Sequence, residues 1–406
     1  MKPYLLLLLS LFAAFGCSKL PGQEEEEPAK EFSPIVLTRA EQDINVGVND
    51  FGLRLFRSLY VKDQVFISPL SVSLALSMTA YGARGNTEQE MIATLGFGTA
   101  TRDQVGDYYK KMVPALIDAD NRTSLEIANS IWVKNQISLK DSFSNGVKNY
   151  FSTDVFAKDF TSNGFIAEIN KWCSDKTHGP IQNAADNLNP DVVMALVNAL
   201  YFKGKWSAEF DQATDGKFTT LSSASVDAKM MSKTGSYSYA AVDGYSMVSI
   251  PYGNGAFVMD VILPAKTGSD AFAAAVAGLD WSKYTALINN ETAAQVCLTM
   301  PAFKMEYDAE LQDFLAAMGM PSAFGAAADF SGMSDSWLCI DQVIHKTLVE
   351  VDEKGTEAAA VTIVGMRKAT SVGAPQTIYF TADRPFIFAI RETSTNALLF
   401  IGQKVR

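Results

Sequence analysis

The chain has 406 residues, which is long enough for one large mixed domain, and 48% of them are hydrophobic, which provides ample material for a buried core. Its formal net charge is −11. A chain this acidic is a poor ligand for the phosphate backbone of nucleic acid, so nucleic acids and heparin-like polyanions are excluded as main partners. The charge indicates a solvated acidic surface.

The first sixteen residues form a targeting segment. Lys2 gives it a positive start, a short apolar run follows over residues 4–15, and Gly16 precedes Cys17. The run is too short to span a bilayer comfortably. A small residue followed by cysteine at this point resembles a bacterial lipoprotein signal, in which Cys17 would become the lipid-bearing first residue of the mature chain. An ordinary secretory signal is the alternative.

Residues 17–37 are predicted to form a disordered acidic tether, because Glu24–Glu27 are four adjacent carboxylates with no apolar residue among them. An acidic run soon after a lipidated cysteine resembles the surface-export signal of Bacteroides-type lipoproteins. The expected location is therefore the bacterial outer membrane, with the protein lipid-anchored and exposed at the cell surface. A secreted or periplasmic protein is the alternative. One domain, residues 38–406, is expected to follow.

Three cysteines remain beside Cys17, at positions 173, 297 and 339. Their scattered spacing gives neither a disulfide framework nor a metal-ligand pattern. We expect free, mostly buried thiols and no metal site.

The first part of the domain is rich in predicted helices. Apolar residues recur at helical spacing over residues 49–60, and a short strand follows at 65–67. Ser68 is typical of an N-cap, with Pro69 in the first turn. Residues 72–81 continue as an almost wholly apolar helix, which must be buried on all sides.

The later part is rich in predicted strands. Residues 192–202 are apolar on both faces and therefore belong in the centre of a covered sheet. Helices followed by many strands and further helices predict the α+β class. The predicted strands are 125–133, 192–202, 246–251, 256–264 and 343–351.

Motifs of the common enzyme classes are absent from the sequence. It has two histidines, and His345 lies inside the predicted strand 343–351, where a buried core residue is a better interpretation than a catalytic base. There is no zinc-type His-Glu spacing, no Gly-Lys-Ser/Thr phosphate loop and no dinucleotide-binding glycine-rich turn. Paired carboxylates need only meet in space, so the sequence leaves them open. We expect no cofactor and no enzymatic activity.

The segment after strand 343–351 has two interpretations. Thr356–Ala360 could cap and begin a helix, since Glu-Ala-Ala-Ala is good helix sequence. The β-branched run Val361–Val364 favours a strand instead. As a strand, the segment carries small uncharged residues on one face and Glu357 on the other. Such a pattern suits a strand that slips between two existing strands, with only its open face able to hold a charge.

Several stretches, taken in order, resemble inhibitory serpins over residues 38–406. Residues 66–71 resemble the start of the serpin shutter, residues 198–206 resemble the strand leading to the breach tryptophan, and residues 383–388 resemble the segment after the reactive loop. Residues 399–405 resemble the C-terminal strand. Residues that resemble the reactive-loop hinge are Glu353, Gly355, Thr356, Glu357, Ala358, Ala359 and Ala360.

The resemblance implies a serpin fold, with helices around a large central mixed sheet, smaller sheets, and an exposed reactive-centre loop at about residues 353–382. It also implies a monomer that traps proteases as a covalent acyl-enzyme, by inserting its cleaved loop into the main sheet. The implied polar cluster beneath that sheet is Ser68, Ser71, Asn198 and His345, and the implied aromatic cap is Trp206. In the family Glu353 pairs with a basic residue. Ala302 stands at that position here, so Lys304 becomes the expected partner.

The usual serpin spacing, counted forward from the hinge, puts the attacked bond at Ala369–Thr370. Ala369 suits elastase-like proteases, whereas Arg367 and Lys368 suit trypsin-like ones, and Lys368–Ala369 is the alternative bond. The resemblance leaves open whether cysteine proteases are also trapped. It also leaves open a second function, that of a non-inhibitory serpin acting as a surface binding protein.

Overall fold

The computed structural model describes residues 28–162, 164–179, 192–355 and 377–406. This part of the chain contains nine α-helices and one short 3-10 helix, Pro321–Phe324. The α-helices are α1 (Arg39–Ser58), α2 (Pro69–Gly82), α3 (Gly85–Leu95), α4 (Arg102–Ile117), α5 (Asp141–Phe151), α6 (Phe165–Lys176), α7 (Ser269–Gly278), α8 (Trp281–Asn289) and α9 (Gln312–Ala317).

Two sheets are formed by the strands of the described residues. The larger has the order β1-β14-β13-β8-β7-β6-β9-β12, with β5 paired to β6, and the smaller has the order β10-β11-β4-β2-β3. The strands are β1 (Val65–Ile67), β2 (Thr123–Lys134), β3 (Asp154–Lys158), β4 (Met194–Gly204), β5 (Thr214–Thr219), β6 (Ser225–Val242), β7 (Tyr245–Tyr252), β8 (Phe257–Pro264), β9 (Thr292–Pro301), β10 (Phe303–Glu310), β11 (Gln342–Val351), β12 (Ile378–Thr381), β13 (Phe386–Glu392) and β14 (Leu398–Lys404).

Helix α2 lies between the two sheets. The Ser68 hydroxyl accepts a hydrogen bond from the Ser71 amide, and Pro69 occupies the first helical position, as the sequence predicts. Every residue of the helix except Tyr81 is buried. One side contacts β2 and β4 of the smaller sheet and another contacts β14 of the larger sheet, which explains why the helix is apolar all round.

Helix α1 begins ten residues before the predicted start. Thr38 and Glu41 form a capping box, in which each side chain accepts a hydrogen bond from the backbone amide of the other. The first turn, residues 39–43, is largely polar and exposed and gives no apolar signal. Ile44 and Val48 are buried at helical spacing, so the apolar face already begins before residue 49. The helix ends at Ser58.

Residues 28–37 pack against the body of the protein. The Lys30 ammonium lies 2.6 Å from a carboxylate oxygen of Asp118, and the Ile35 amide donates to the Ser394 hydroxyl at 2.9 Å. Leu37 is buried. The prediction of a disordered tether is therefore wrong for residues 28–37, because side chains far along the chain bind this backbone.

The α+β class is confirmed, with helices packed around a mixed five-stranded sheet and a second large sheet. Strands occupy each of the five predicted strand regions, although β4 begins at Met194 rather than at residue 192. Cys173 and Cys339 are buried free thiols, and Cys297 is a partly exposed free thiol. Within the described ranges, no helix is both long and apolar enough to cross a membrane.

Candidate functional site

Strands β11 and β4 pair in parallel in the middle of the five-stranded sheet, and we call this pairing the seam. The register runs from Gln342 opposite Ala195 to Leu348 opposite Tyr201. Both strands continue beyond the end of this register, to residues 351 and 204 respectively. The paired part of the seam therefore stops short of the end where the chain leaves β11.

At that end the chain turns sharply, and we call the turn Asp352–Gly355, together with Lys205 and Trp206, the mouth of the seam. Gly355 forms one antiparallel bridge with Asp352 and another with Lys205, the residue after β4. Its φ is +114°, and a Cβ added there would lie 2.3 Å from the carbonyl oxygen of Gly204. The backbone angle and the close approach both require glycine.

Trp206 fixes the turn from one side. Its indole N–H donates to the Asp352 carbonyl at 2.8 Å, and its backbone amide donates to the Lys354 carbonyl at 3.2 Å. The ring stacks on Tyr252 with centroids 4.2 Å apart, and the residue is only 4% exposed. Trp206 therefore joins the mouth to the larger sheet.

The backbone of a neighbouring segment holds the Glu353 side chain. Its Oε1 accepts from the Ala213 amide at 2.9 Å, and hydrogen bonds from its own amide and from Ala213 lower the pKa of its carboxyl group. Lys304 stands opposite Glu350 in the register and lies 3.7 Å from a carboxylate oxygen of Glu306. The prediction that Lys304 pairs with Glu353 is wrong, because the turn carries Glu353 toward residue 213.

Beneath the seam, a polar network joins the two strands. His345 of β11 and Asn198 of β4 are register partners, and Nδ1 of His345 lies 2.6 Å from Oδ1 of Asn198. The Ser68 amide donates to Nε2 of His345 at 3.0 Å, so Nε2 is unprotonated and Nδ1 carries the proton. The Asn198 side-chain amide donates to the Ser71 hydroxyl and to Oδ1 of Asn129.

This network is sealed from solvent. Ser68, Ser71 and His345 are fully buried, and Asn198 is 1% exposed. Burial lowers the pKa of His345 to about 3, so the ring is neutral near physiological pH. Separating β11 from β4 at this level breaks the hydrogen bond between His345 and Asn198, and the network therefore acts as a lock on the seam.

The structure brings the predicted site residues together in two groups. Glu353, Gly355 and Trp206 meet at the mouth, and the four residues of the implied polar cluster meet beneath the seam. The predicted residues that lie outside the described part of the chain are Cys17, Thr356, Glu357, Ala358, Ala359, Ala360, Arg367, Lys368, Ala369 and Thr370.

Two residues of these groups are missing from the sequence prediction. Asn129 accepts from Asn198, and it is the single polar residue among the alternate positions 125, 127, 129, 131 and 133 of β2. That interruption is a signal which the sequence contains. Lys205 contributes its backbone, for which no side-chain signal exists. Nowhere in the described ranges do three His, Cys, Asp or Glu side chains lie close enough to share a metal ion.

Comparison with known proteins assigns this arrangement to a family. Residues 46–406 match the family described as Serpin (serine protease inhibitor). The chain belongs to the serpin family. It is 34% identical over 392 residues to Iripin-3 of Ixodes ricinus, covering 91% of this chain and 97% of that protein. It is also 34% identical over 385 residues to intracellular coagulation inhibitor 2 of Tachypleus tridentatus, covering 90% and 91%.

Solved serpin structures confirm the fold. The thermophilic serpin tengpin in its native state superposes with a TM-score of 0.82 at 30% identity, covering 93% of this chain and 97% of that one. A thyroxine-binding globulin in complex with thyroxine gives a TM-score of 0.79 at 27% identity, covering 90% and 98%. The family is one of protease inhibitors rather than enzymes, although some serpins are not inhibitors.

Proposed function

We propose that this serpin inhibits serine proteases as a suicide substrate. The protease serine would attack the carbonyl carbon of Ala369, the bond to Thr370 would break, and an ester would join the protease to Ala369. The freed loop would then enter the seam as a new strand and carry the ester-linked protease with it. Deacylation would be too slow to release the protease once its active site is distorted.

The register at the mouth is the observation that carries this proposal. Gly355 is bridged to Asp352 on one side and to Lys205 on the other, both antiparallel. Four residues back from these two partners are Leu348 and Tyr201, which already face each other across the seam. A strand that continues from Gly355 would therefore place Ala359 between them with no change of register. The same register would hold for the residues that follow along the seam.

The same register assigns the faces of the inserting strand. Thr356, Ala358, Ala360, Thr362 and Val364 would face the core side, and Thr362 would stand level with His345 and Asn198. Small uncharged residues at these positions suit the space beneath two strands that have just separated. The outward-facing Glu357 would stand level with Glu350 and Lys203, at the solvent side of the sheet.

Insertion would provide the driving force for trapping. The ladder would pair Thr356–Met366 with β4 from Gly204 back to Met194. With about eleven residues gaining hydrogen bonds worth about 0.5–1.5 kcal/mol each, insertion would contribute on the order of 10 kcal/mol. The resting form would then be metastable and would persist because the locked seam opens slowly.

The class of target protease is proposed from the residues at and next to the attacked bond. Ala369 suits an elastase-like protease, and Lys368 or Arg367 suits a trypsin-like one. The test incubates the full chain with equal amounts of each enzyme and with a papain-like cysteine protease as a further arm. An adduct that survives SDS, together with a released fragment beginning at Thr370, supports the proposal. Free turnover of every protease would contradict it and would favour a non-inhibitory surface binding protein.

The location is proposed from the N-terminal sequence. Cys17 would carry the lipid, and the chain would be anchored as a monomer at the outer surface of a bacterial outer membrane. The short apolar run ending at Gly16 and the acidic run at residues 24–27 support this location. Mass spectrometry of the native N-terminus checks it. A mature chain that begins elsewhere and lacks lipid would indicate a secreted or periplasmic protein instead.

A further inference from the structure

The N-terminal segment binds beside the mouth of the seam. The Asn121 side chain donates to the Pro28 carbonyl at 2.9 Å and accepts from the Lys30 amide at 3.0 Å. The Asn254 side chain donates to the Lys30 carbonyl at 3.2 Å, and the Lys30 ammonium pairs with Asp118. We call Lys30, Asn121 and Asn254 the clasp.

Asn254 belongs to the tight turn between β7 and β8, which is fixed in place. The backbone amide of Asn254 donates to a carboxylate oxygen of Asp120 at 3.2 Å, and Asp120 is 1% exposed. Gly253 has φ +44°, and a Cβ added there would lie 1.7 Å from that carboxylate. The turn therefore has little freedom to move by itself, and the clasp adds a further restraint from outside.

This turn is joined directly to the mouth. The Gly253 amide donates to the Lys205 carbonyl at 2.7 Å, and Lys205 forms the antiparallel bridge with Gly355. The Ser207 hydroxyl donates to the Gly253 carbonyl at 2.8 Å, which ties the turn to the same segment a second time. Hydrogen bonds thus join Lys30 to Asn254 and the adjacent Gly253 to Lys205. The next residue, Trp206, completes the connection to the mouth, because its amide donates to the Lys354 carbonyl beside the hinge glycine.

We propose that the clasp residues are positioning residues for loop insertion. Docking of residues 28–30 holds the β7–β8 turn against Lys205, and Lys205 provides the first rung on which the inserting strand would form. The clasp thereby keeps the mouth closed in the resting form and sets how readily the seam opens. The consequence for trapping rests on the proposed function, whereas the restraint on the mouth does not.

Hydrogen–deuterium exchange on the full-length resting protein tests the restraint. Asn121→Ala removes both of the Asn121 side-chain bonds to residues 28–30 and is the cleaner variant. Asn254→Ala removes the bond to Lys30 from the other side, together with the side-chain bonds to the Ala119 carbonyl and from the Ala256 amide. Each variant should speed exchange at least threefold in segments 200–206 and 347–355, while β13 and β14 stay as in wild type. Arg39→Ala is the matched control, because it breaks an exposed ion pair with Asp43 near the start of α1.

Unchanged exchange at the mouth in either clasp variant would overturn the proposal. A rise of equal size in all strands, or the same local rise in Arg39→Ala, would also overturn it, because the effect would then be general destabilisation. As a second measurement, spontaneous conversion of the clasp variants to a form that no longer traps protease should be at least threefold faster at 45 °C. If wild type itself forms no adduct, the proposed function fails while the exchange experiment still decides the role of the clasp.

Discussion

Acid should unlock the seam through His345. Its Nε2 accepts a hydrogen bond from the Ser68 amide, so a proton there would put two donors face to face. Burial lowers the pKa of this ring from 6.5 to about 3 in the folded state. Between these values the unfolded or opened chain binds more protons than the closed one. The neutral ring therefore contributes its full stabilisation of the closed state above pH 6.5, and this stabilisation is lost as the pH falls toward 3.

The size of the effect follows from the width of this interval. Each pH unit well inside it is worth about 1.4 kcal/mol, and about half that near pH 6.5, so lowering the pH from 6.5 to 4.5 should cost about 2 kcal/mol of closed-state stability. If the transition state for opening exposes His345, native protein should be lost about 10- to 100-fold faster over those two units. The assay follows loss of the native band on non-denaturing gels at constant temperature and ionic strength.

His345→Gln provides the comparison, because it removes the titrating group and keeps both a donor and an acceptor. Carboxyl groups whose pKa burial raises, such as Asp352 and Glu291, titrate in both proteins. Only the difference between the two pH profiles therefore reports on His345. Equal slopes between pH 6.5 and 4.5 would refute the proposed lock.

Four further changes test the mouth and the inserting strand. Gly355→Ala should lower resting-state stability by about 1–3 kcal/mol, seen as a lower melting temperature, since the new Cβ meets the Gly204 carbonyl. Trp206→Phe loses the bond to the Asp352 carbonyl and should cost about 1 kcal/mol in the same melt. Thr356→Arg should keep the resting melting temperature but release active protease, because an unpaired buried charge costs several kcal/mol on insertion. Glu357→Arg, on the solvent side, should still trap, and equal trapping by both arginine variants would contradict the assigned faces.

Local sequence signals predict much of the fold. Ser68 and Pro69 predict the start of α2, because serine is a favoured N-cap and proline is favoured in the first turn. The apolar run that follows has no polar stripe, so it predicts a helix that is buried on all sides. Asn198 interrupts an apolar run in β4, and His345 follows Val343 and Ile344 in β11, which indicates that both side chains need polar partners inside the core.

Contacts that depend on the backbone of distant segments leave no such signal. Glu353 is bound by the Ala213 amide, and any residue other than proline could supply that donor. Residues 28–30 look like part of a tether because they directly follow four glutamates, and only the folded positions of Asn121 and Asn254 give them partners. Sequence reasoning identifies groups that need partners but not the segments that the fold brings to them.

The register of the seam would also limit the length of chain that joins the inserted strand to the trapped protease. A strand descending from Gly355 would reach the first residue of β4, Met194, with Met366. Only residues 367–369 would then remain between the end of the ladder and an acyl bond at Ala369, a reach of about 10 Å. Cleavage after Lys368 would shorten that reach to about 7 Å. The position of the cleaved bond would therefore decide how closely the trapped protease is held against the lower edge of the sheet. Each residue by which the bond moves toward the hinge would shorten that distance.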